Sequence, residues 1–283
     1  ELLIDFTCLS TDADGYPTMA AHPGGAPANY LAALTKFGAK TAMIGKVGSD
    51  AFGRLLIKTL KGTGIDTRGM LVSDDVFTTL AFVTLDDSGN REFSFARKPG
   101  ADTQLRFDEI DLGVIDASKV LHFGTLSMTN EPARDATYEA VEYAAGRGKL
   151  ISFDPNLRKP LWNDLDEAKR QMLWGLKHAD IVKISDEETE FLFGIAPEEA
   201  AKHIIDSFGV RLVYVTCGAE GCFYRTKTAS GFVKALSGIA VKDTTGAGDI
   251  FGGSAMYGLL RAGGVPEKLT AEELENIVSF ACA

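Results

Sequence analysis

The chain has 283 residues, of which 45% are hydrophobic and 24% are charged, and its formal net charge is −10 at pH 7. This composition is that of a globular protein, so extensive disorder and fibrous repeats are excluded. The excess of carboxylates repels a phosphate backbone, and no apolar run approaches the roughly 18 residues of a membrane span, so neither nucleic acid nor a membrane is an expected partner.

Hydrophobic patterning in the first hundred residues predicts a strand, helix, strand, helix succession followed by a stretch with β patterning only. The four elements are expected at residues 2–9, 27–37, 41–47 and 50–60. From 69 to 97 the pattern alternates around a turn cluster at 87–90, which predicts a hairpin with one solvated face.

After residue 100 the pattern returns to alternating strands and helices. Strands are predicted at 119–123, 150–153, 181–184, 212–216 and 221–225, and helices at 132–147, 165–177, 186–193, 198–208, 247–262 and 271–283. Alternation of this kind predicts a parallel sheet covered on both faces, within one domain over 1–283. The β-only stretch does not fit that order and is expected to project from the main domain.

The strongest functional signal is the loop at 243–249, which reads Asp-Thr-Thr-Gly-Ala-Gly-Asp and opens an apolar helix. Gly246, Ala247 and Gly248 are too small to cover their own amides, so N–H groups converge with the positive end of the helix dipole. This arrangement predicts an anion site. Asp249, in the first turn, is placed to take a proton from a hydroxyl that attacks phosphorus. The structural alternative is a turn of small residues with a helix-capping aspartate.

Three further loops follow strands, at the sheet edge where open parallel sheets bind ligands. Paired glycines at 24–25 allow a ligand close to the backbone, and Asn29 offers donors and acceptors suited to a polyol. In the loop at 154–158, prolines hold Arg158 within reach of a phosphate or a sugar hydroxyl. The acidic residues at 186–188 suit a helix start or a water-held magnesium ion. Each loop also has an ordinary structural interpretation as a turn, a surface arginine or a helix cap.

Other catalytic signatures are missing from the sequence. No G-x-x-x-x-G-K-[ST] loop, no G-x-G-x-x-G after the first strand and no G-x-S-x-G elbow occurs, and the four histidines have no metal-ligand spacing. The sequence therefore carries none of these usual motifs of hydrolases and dehydrogenases. The four cysteines have no zinc-site spacing, and we expect a reducing, cytoplasmic location.

Taken together, the motifs at 24–29 and 243–249, with Gly38 and Gly48, resemble the ribokinase-like (PfkB) carbohydrate kinase family. Within that family the chain is most similar to fructokinases, through residues 97–102, 154–158, 160–162 and 185–188. The resemblance implies a three-layer α/β/α fold with a mostly parallel central sheet and a small projecting β lid, formed by about 9–20 and 69–97. It also implies ATP-dependent phosphoryl transfer to the primary hydroxyl of a ketose, with fructose 6-phosphate as the expected product.

The resemblance further assigns roles to individual residues. Asp249 is the expected base, and the amides of Gly246, Ala247 and Gly248 form the anion hole. The sugar is expected to contact Asp5, Gly25, Asn29, Arg97 and Arg158, and the nucleotide to contact Thr216, Gly218 and Gly221. Glu188 is expected to influence Mg²⁺ through water, and Asp243 with Thr245 to hold a monovalent cation such as K⁺.

Two alternatives stay open at the level of sequence. The first is a kinase of 2-keto-3-deoxygluconate, for which Arg97 would supply the cation that an acidic sugar requires. The second is a non-catalytic sugar-binding regulator on the same fold. The expected partners are a small sugar and ATP, and the exposed face of the lid is a predicted homodimer surface.

Overall fold

Strands and helices alternate along most of the chain in the structure, a computed structural model that describes residues 1–85, 91–238 and 244–283. The strands are β1 (Leu3–Thr11), β2 (Pro17–Gly24), β3 (Ala42–Gly48), β4 (Asp66–Ser73), β5 (Leu80–Leu85), β6 (Arg91–Ala96), β7 (Val120–Gly124), β8 (Leu150–Asp154), β9 (Ile181–Ser185), β10 (Leu212–Thr216), β11 (Gly221–Arg225) and β12 (Ser230–Lys234). The helices are α1 (Ala26–Lys36), α2 (Ala51–Thr63), α3 (Leu112–Asp116), α4 (Ala133–Gly146), α5 (Leu165–His178), α6 (Asp186–Phe193), α7 (Pro197–Phe208), α8 (Ala247–Arg261) and α9 (Ala271–Ala281).

A six-stranded sheet in the order β12-β11-β10-β9-β8-β7 forms the centre of the molecule. Strands β7 to β10 are parallel, and β11 and β12 continue the sheet antiparallel. Strands β9 and β10 are rich in β-branched residues and are largely buried, as expected where helices cover a sheet on each side.

Two apolar clusters lie on opposite faces of this sheet. Val182 and Ile184 of β9 pack in one cluster with residues of α4, α5 and α7. Ile181 of the same strand packs in the other cluster with residues of α1, α8 and α9. Because successive residues of one strand pack into clusters on opposite faces, the sheet is the middle of three layers. The predicted α/β/α arrangement is confirmed.

A second, four-stranded sheet has the order β2-β1-β5-β6. The predicted hairpin is present, since β5 and β6 pair antiparallel with Leu80 opposite Ala96, while the predicted turn at 87–90 lies outside the described residues. Residues 69–73, which the sequence grouped with this sheet, belong instead to β4 and pair parallel with β3. Alternation shows that a strand is half-buried but does not identify its neighbour, which explains the difference.

The base of the four-stranded sheet is anchored to the main domain, and its far end reaches into solvent. The Phe6 ring stacks on Phe82 at 5.2 Å and meets Phe52 of α2 edge-on at 5.5 Å. At the far end, Leu9 and Tyr16 keep 66% and 70% of their surface exposed. The Asp50 carboxylate caps α2 and also accepts a hydrogen bond from the Thr78 amide, which ties the approach to β5 to the helix.

Strand β3 and strand β7 face each other without a ladder between them in the described residues. A cavity of about 520 Å³ separates them, lined by Met43 and Ile44 on one side and by Leu121 and Phe123 on the other. The β3–β4 pair therefore has no backbone ladder to the six-stranded sheet in the described residues.

None of the helices in the described ranges is both long enough and apolar enough to cross a bilayer.

Helices α1 and α8 cross at small residues, and this crossing generates a stability prediction. A Cβ at Gly253 would lie 2.5 Å from the Tyr30 carbonyl oxygen and 2.9 Å from Ala33 Cβ, so Gly253→Ala must push the helices apart. We expect it to lower the free energy of unfolding by about 1–3 kcal/mol, as overpacking does. Thermal and urea denaturation followed by circular dichroism measures this change.

Gly62→Ala is the matched control, because Gly62 lies in α2 and a Cβ there meets nothing within 4 Å. Removing a helical glycine without a clash should stabilise the protein by about 0.5–1 kcal/mol. Equal effects of the two substitutions would contradict the close crossing of α1 and α8.

Candidate active site

The two motifs that stood far apart in sequence meet at one hydrogen bond. The Asn29 side-chain amide donates to Asp249 Oδ2 at 2.9 Å, across 220 residues of sequence. Asn29 lies in the first turn of α1, and Asp249 lies in the first turn of α8 and is 8% exposed. The heads of the two helices therefore form one site.

Glycines let other groups approach the head of α8. Gly246 has φ 76°, a left-handed conformation that favours glycine, and a Cβ there would lie 3.3 Å from the Asn29 side-chain nitrogen. A Cβ at Gly248 would lie 2.9 Å from Lys183 Nζ. The small residues of this motif therefore make room for protein groups as well as for a ligand.

The predicted anion hole is only partly as expected. The Ala247 amide donates to the Thr244 carbonyl at 3.1 Å, so in this conformation it is not directed at a ligand. Gly248 and Asp249 occupy the next two positions of the first turn, whose amides cannot find a partner one turn earlier in the helix. An anion at this helix end would also meet the positive end of the helix dipole.

Asp249 sits where an ionised carboxylate is unfavourable. Burial raises the pKa of Asp249, while the hydrogen bond from Asn29 and the positive charges of Lys183 and Arg158 oppose that rise. A carboxylate with a raised pKa is a better proton acceptor than an exposed aspartate. The environment of Asp249 therefore suits a general base.

Asp5 joins the same cluster from β1. Burial raises its pKa, the Arg158 charge opposes the rise, and the Asp249 charge adds to it. A side chain at Gly24 would overlap the Asp5 carboxylate, and Gly25 has φ 112°, so both glycines are required at this point of the backbone. The structure thus places four of the five predicted sugar contacts, Asp5, Gly25, Asn29 and Arg158, near the predicted base Asp249.

Two hydrogen bonds from backbone amides to carboxylates hold the 154–158 loop in place. Asn156 has φ 45°, and its amide donates to Asp154 Oδ1 at 3.1 Å. The Leu157 amide donates to Glu188 Oε1 at 2.7 Å. These bonds fix the backbone that presents Arg158.

Glu188 has a structural role beside its predicted metal role. Its second oxygen accepts a hydrogen bond from the Ser185 amide at 2.8 Å, and the Ser185 hydroxyl accepts one from the Glu188 amide, which completes a capping box at the start of α6. Both carboxylate oxygens of Glu188 are thus engaged by backbone amides.

Arg97 is placed differently from the other predicted sugar contacts. Its side chain is 3% exposed and forms an ion pair with Asp102 at 2.6 Å. The guanidinium also donates to the Thr129 hydroxyl at 2.7 Å and to the Leu126 carbonyl at 2.8 Å. Arg97 therefore braces the end of β6 against the segment after β7.

The predicted nucleotide residues lie after β10, at the same sheet edge as Asp154 and Ser185. Thr216 ends β10, and the exposed Gly218 follows it with φ 52°. Gly221 has φ 131°, and a Cβ there would overlap the Val233 carbonyl, so close approach of β12 explains this glycine.

The structure describes only one of the two predicted cation ligands. Thr245 is exposed just before α8, whereas Asp243 lies outside the described residues. Within the described ranges, no three His, Cys, Asp or Glu side chains are arranged to hold a metal ion.

Two groups at this site were not among the predicted residues. Lys183 of β9 forms a buried ion pair with Asp154 at 3.1 Å, next to Gly248. Glu1 Oε1 accepts a hydrogen bond from the Ala26 amide at the start of α1. A lysine within a short strand gives no sequence signal of its own, although the spacing from Ser185 would place it at the sheet edge.

The raised pKa of Asp249 predicts a gain of stability when its charge is removed. Above the folded-state pKa the ionised carboxylate disfavours the folded state, and below the unfolded value of about 3.9 this penalty vanishes. We expect Asp249→Asn to raise the melting temperature at pH 7 by roughly 1–3 °C, with the gain shrinking as pH approaches 4. Calorimetry of both proteins across this pH range measures it.

Asp206→Asn is the control, because Asp206 is exposed on α7 and its pKa is lowered by Lys202. No gain is expected there at any pH. A loss of stability for Asp249→Asn at pH 7 would contradict a raised pKa at that position.

Known proteins resemble this chain over its whole length. A family model described as pfkB family carbohydrate kinase matches residues 1–283. The chain is 43% identical over 260 residues to a probable fructokinase-4 of Arabidopsis thaliana, which covers 90% of this chain and 79% of that protein.

Solved structures agree with this assignment. A fructokinase with bound ATP from Xylella fastidiosa matches with TM-score 0.91 and 30% identity, over 100% of this chain and 88% of that one. A fructokinase from Vibrio cholerae O395 with fructose, ADP and a calcium ion bound matches with TM-score 0.84 and 30% identity, over 100% and 88%. Since the family model spans the chain from end to end, this protein belongs to the pfkB family of carbohydrate kinases.

Proposed function

We propose that this carbohydrate kinase transfers the γ-phosphoryl group of ATP to the primary hydroxyl of fructose, giving fructose 6-phosphate. The single observation that carries the proposal is the Asn29–Asp249 hydrogen bond, which places a buried carboxylate at a helix head beside the Asp5 cluster. The fructokinases named above, one with fructose and ADP bound, support the choice of sugar and donor.

Asp249 acts as the base in this reaction. The sugar hydroxyl loses its proton to the carboxylate as its oxygen forms the new bond to phosphorus, and the bond from phosphorus to the bridging oxygen of ADP breaks. Asn29 orients the carboxylate through its hydrogen bond. The amides and dipole at the head of α8 stabilise the charge that spreads over the transferred group.

The sugar side consists of Asp5, Gly25, Asn29 and Arg158, which offer both donors and acceptors to hydroxyl groups. Arg97, the fifth predicted sugar contact, has its guanidinium engaged by Asp102. The acidic-sugar alternative required Arg97 as a cation, and its engagement with Asp102 favours a neutral ketose.

The nucleotide would lie along Thr216, Gly218 and Gly221, with its phosphates toward α8. Mg²⁺ usually keeps several waters and binds substrate phosphates with one or two carboxylates. Glu188 fits that manner of binding, because its oxygens already accept backbone amides and would reach the ion through water. Asp243 and Thr245 remain the proposed ligands of K⁺.

The four-stranded sheet is the proposed lid over the sugar, where exclusion of water limits hydrolysis of ATP. Its exposed end carries Leu9 and Tyr16, and pairing of two such sheets is the proposed route to a homodimer. A cytoplasmic location is proposed from the four free thiols.

Removing the base should lower turnover strongly while leaving substrate binding intact. We expect Asp249→Ala to lower kcat by about 10²–10⁴-fold, the usual contribution of a positioned base. Calorimetric titration should still detect fructose and ATP, because the contacts of Asp5 and Thr216 are unchanged. Turnover near that of the unchanged protein would overturn the assignment of Asp249.

A substrate panel tests the function itself. ADP release is measured with fructose, 2-keto-3-deoxygluconate, ribose, adenosine and tagatose 6-phosphate, each with and without K⁺. Activity on fructose, with little on the acid, is the expected result. Fructose binding without ADP release from any sugar would favour the non-catalytic regulator.

A further inference from the structure

One tyrosine ring of α1 lies where several elements of the fold meet. Tyr30 directly follows Asn29 in the chain and is 4% exposed. One face of its ring lies against α8, since a Cβ at Gly252 would come within 3.1 Å of two ring carbons. The other face stacks on the ring of His122 in β7, with ring centres 3.7 Å apart and planes within 5° of parallel. The ring is therefore confined on both faces.

A buried serine of β8 joins the two stacked rings at their edge. Ser152 Oγ lies 3.0 Å from His122 Nδ1 and 3.5 Å from the Tyr30 hydroxyl oxygen. Burial and the charge of Lys183 lower the pKa of His122 to about 3, and burial raises the pKa of Tyr30. Both rings are therefore neutral at neutral pH, and their hydrogen-bonding groups point to the same hydroxyl.

Packing of the core alone does not require these residues. Burying a tyrosine hydroxyl and an imidazole costs free energy unless each finds a hydrogen-bond partner, whereas aliphatic side chains would fill the same layer without that cost. What the polar stack adds is direction, because a hydrogen-bonded network in the core holds its members in one arrangement. A role in orientation is therefore the better explanation of the stack.

The group that the stack orients is the neighbouring asparagine. Residue 30 meets α8 through its ring at Gly252 and through its carbonyl at Gly253, one turn after Asp249. Because Asn29 and Tyr30 share one helical backbone, a rotation or slide of α1 that moves the ring also moves the Asn29 carboxamide. The bond from that carboxamide to Asp249 is 2.9 Å long, and a shift of about 1 Å would break it.

We propose that Tyr30 and His122 are positioning residues of the active site, which act by holding Asn29 in place. The stacked rings fix α1 between α8 and β7, so the Asn29 carboxamide meets the Asp249 carboxylate before the substrates bind. This inference rests on the proposed function, because it assumes that Asp249 is the base.

Variants of Tyr30 separate orientation from stability. Tyr30→Leu removes the stack and should lower kcat by about 10²-fold, the loss that a displacement of about 1 Å can cause, with KM for ATP nearly unchanged. Tyr30→Phe keeps the ring and should restore most of that loss. ADP release is measured with a sugar that the unchanged protein phosphorylates.

Leu34→Ala is the matched control, because Leu34 is buried in the same apolar cluster as Tyr30, one turn further along α1. It should lower the melting temperature without lowering kcat. Equal kcat values for Tyr30→Leu and Leu34→Ala would overturn the proposal.

A double variant shows whether Tyr30 acts through Asn29. If it does, Asn29→Ala already removes the bond that the ring protects, and adding Tyr30→Leu lowers kcat no further. Reductions that multiply in the double variant would show an independent role of the ring and contradict the proposal.

A spectroscopic measurement without turnover keeps this test distinct from that of the proposed function. The side-chain amide resonances of Asn29 are identified in a nitrogen–proton correlation spectrum by their loss in Asn29→Ala. Tyr30→Leu and His122→Leu should speed exchange of these protons with water, and His122→Leu serves alone where Tyr30→Leu does not fold. Faster exchange supports the proposal even if fructose proves not to be the substrate. Exchange no faster than in Leu34→Ala overturns it.

Discussion

The hydrogen bond from Asn29 to Asp249 is the interaction on which the site depends. It fixes the first turn of α1 to the first turn of α8, and with them the two loops that sequence places far apart. The two helices cross closely at Gly252 and Gly253, where a Cβ would strike Tyr30 and Ala33, and this crossing brings their first turns within reach of each other. Packing in the core thus determines the geometry of two polar side chains at its edge.

Burial of charge is the second constraint, and it works against the stability of the fold. Asp5, Asp154 and Asp249 all have raised pKa values because the protein removes them from water. Arg158 and Lys183 compensate only in part. A reaction that moves a proton and a highly charged group benefits from such an environment, and the three apolar clusters of the described residues offset its cost to stability.

The sequence predicted the fold well wherever burial dictated composition. Strand Leu212–Thr216 is apolar over most of its length because helices cover both faces of the sheet, and the small residues 246–248 indicate the start of a helix. The sequence says less where a side chain's partner decides its role. It predicts Arg97 as a sugar contact but gives no sign of the ion pair with Asp102, and it gives no sign that folding brings Lys183 next to Gly248. The strand at 66–73 shows the same limit for backbone pairing.

The cavity between β3 and β7 lies between two sheets that share no ladder in the described residues. Asp5 belongs to the sheet on one side, while Lys183 and the head of α8 belong to the other. No ladder in the described residues crosses the gap, and side-chain bonds such as that from Arg97 to the Leu126 carbonyl join the two sides. Helix α1 packs on α8 and begins beside Asp5, so it links the position of Asp5 to that of Asp249.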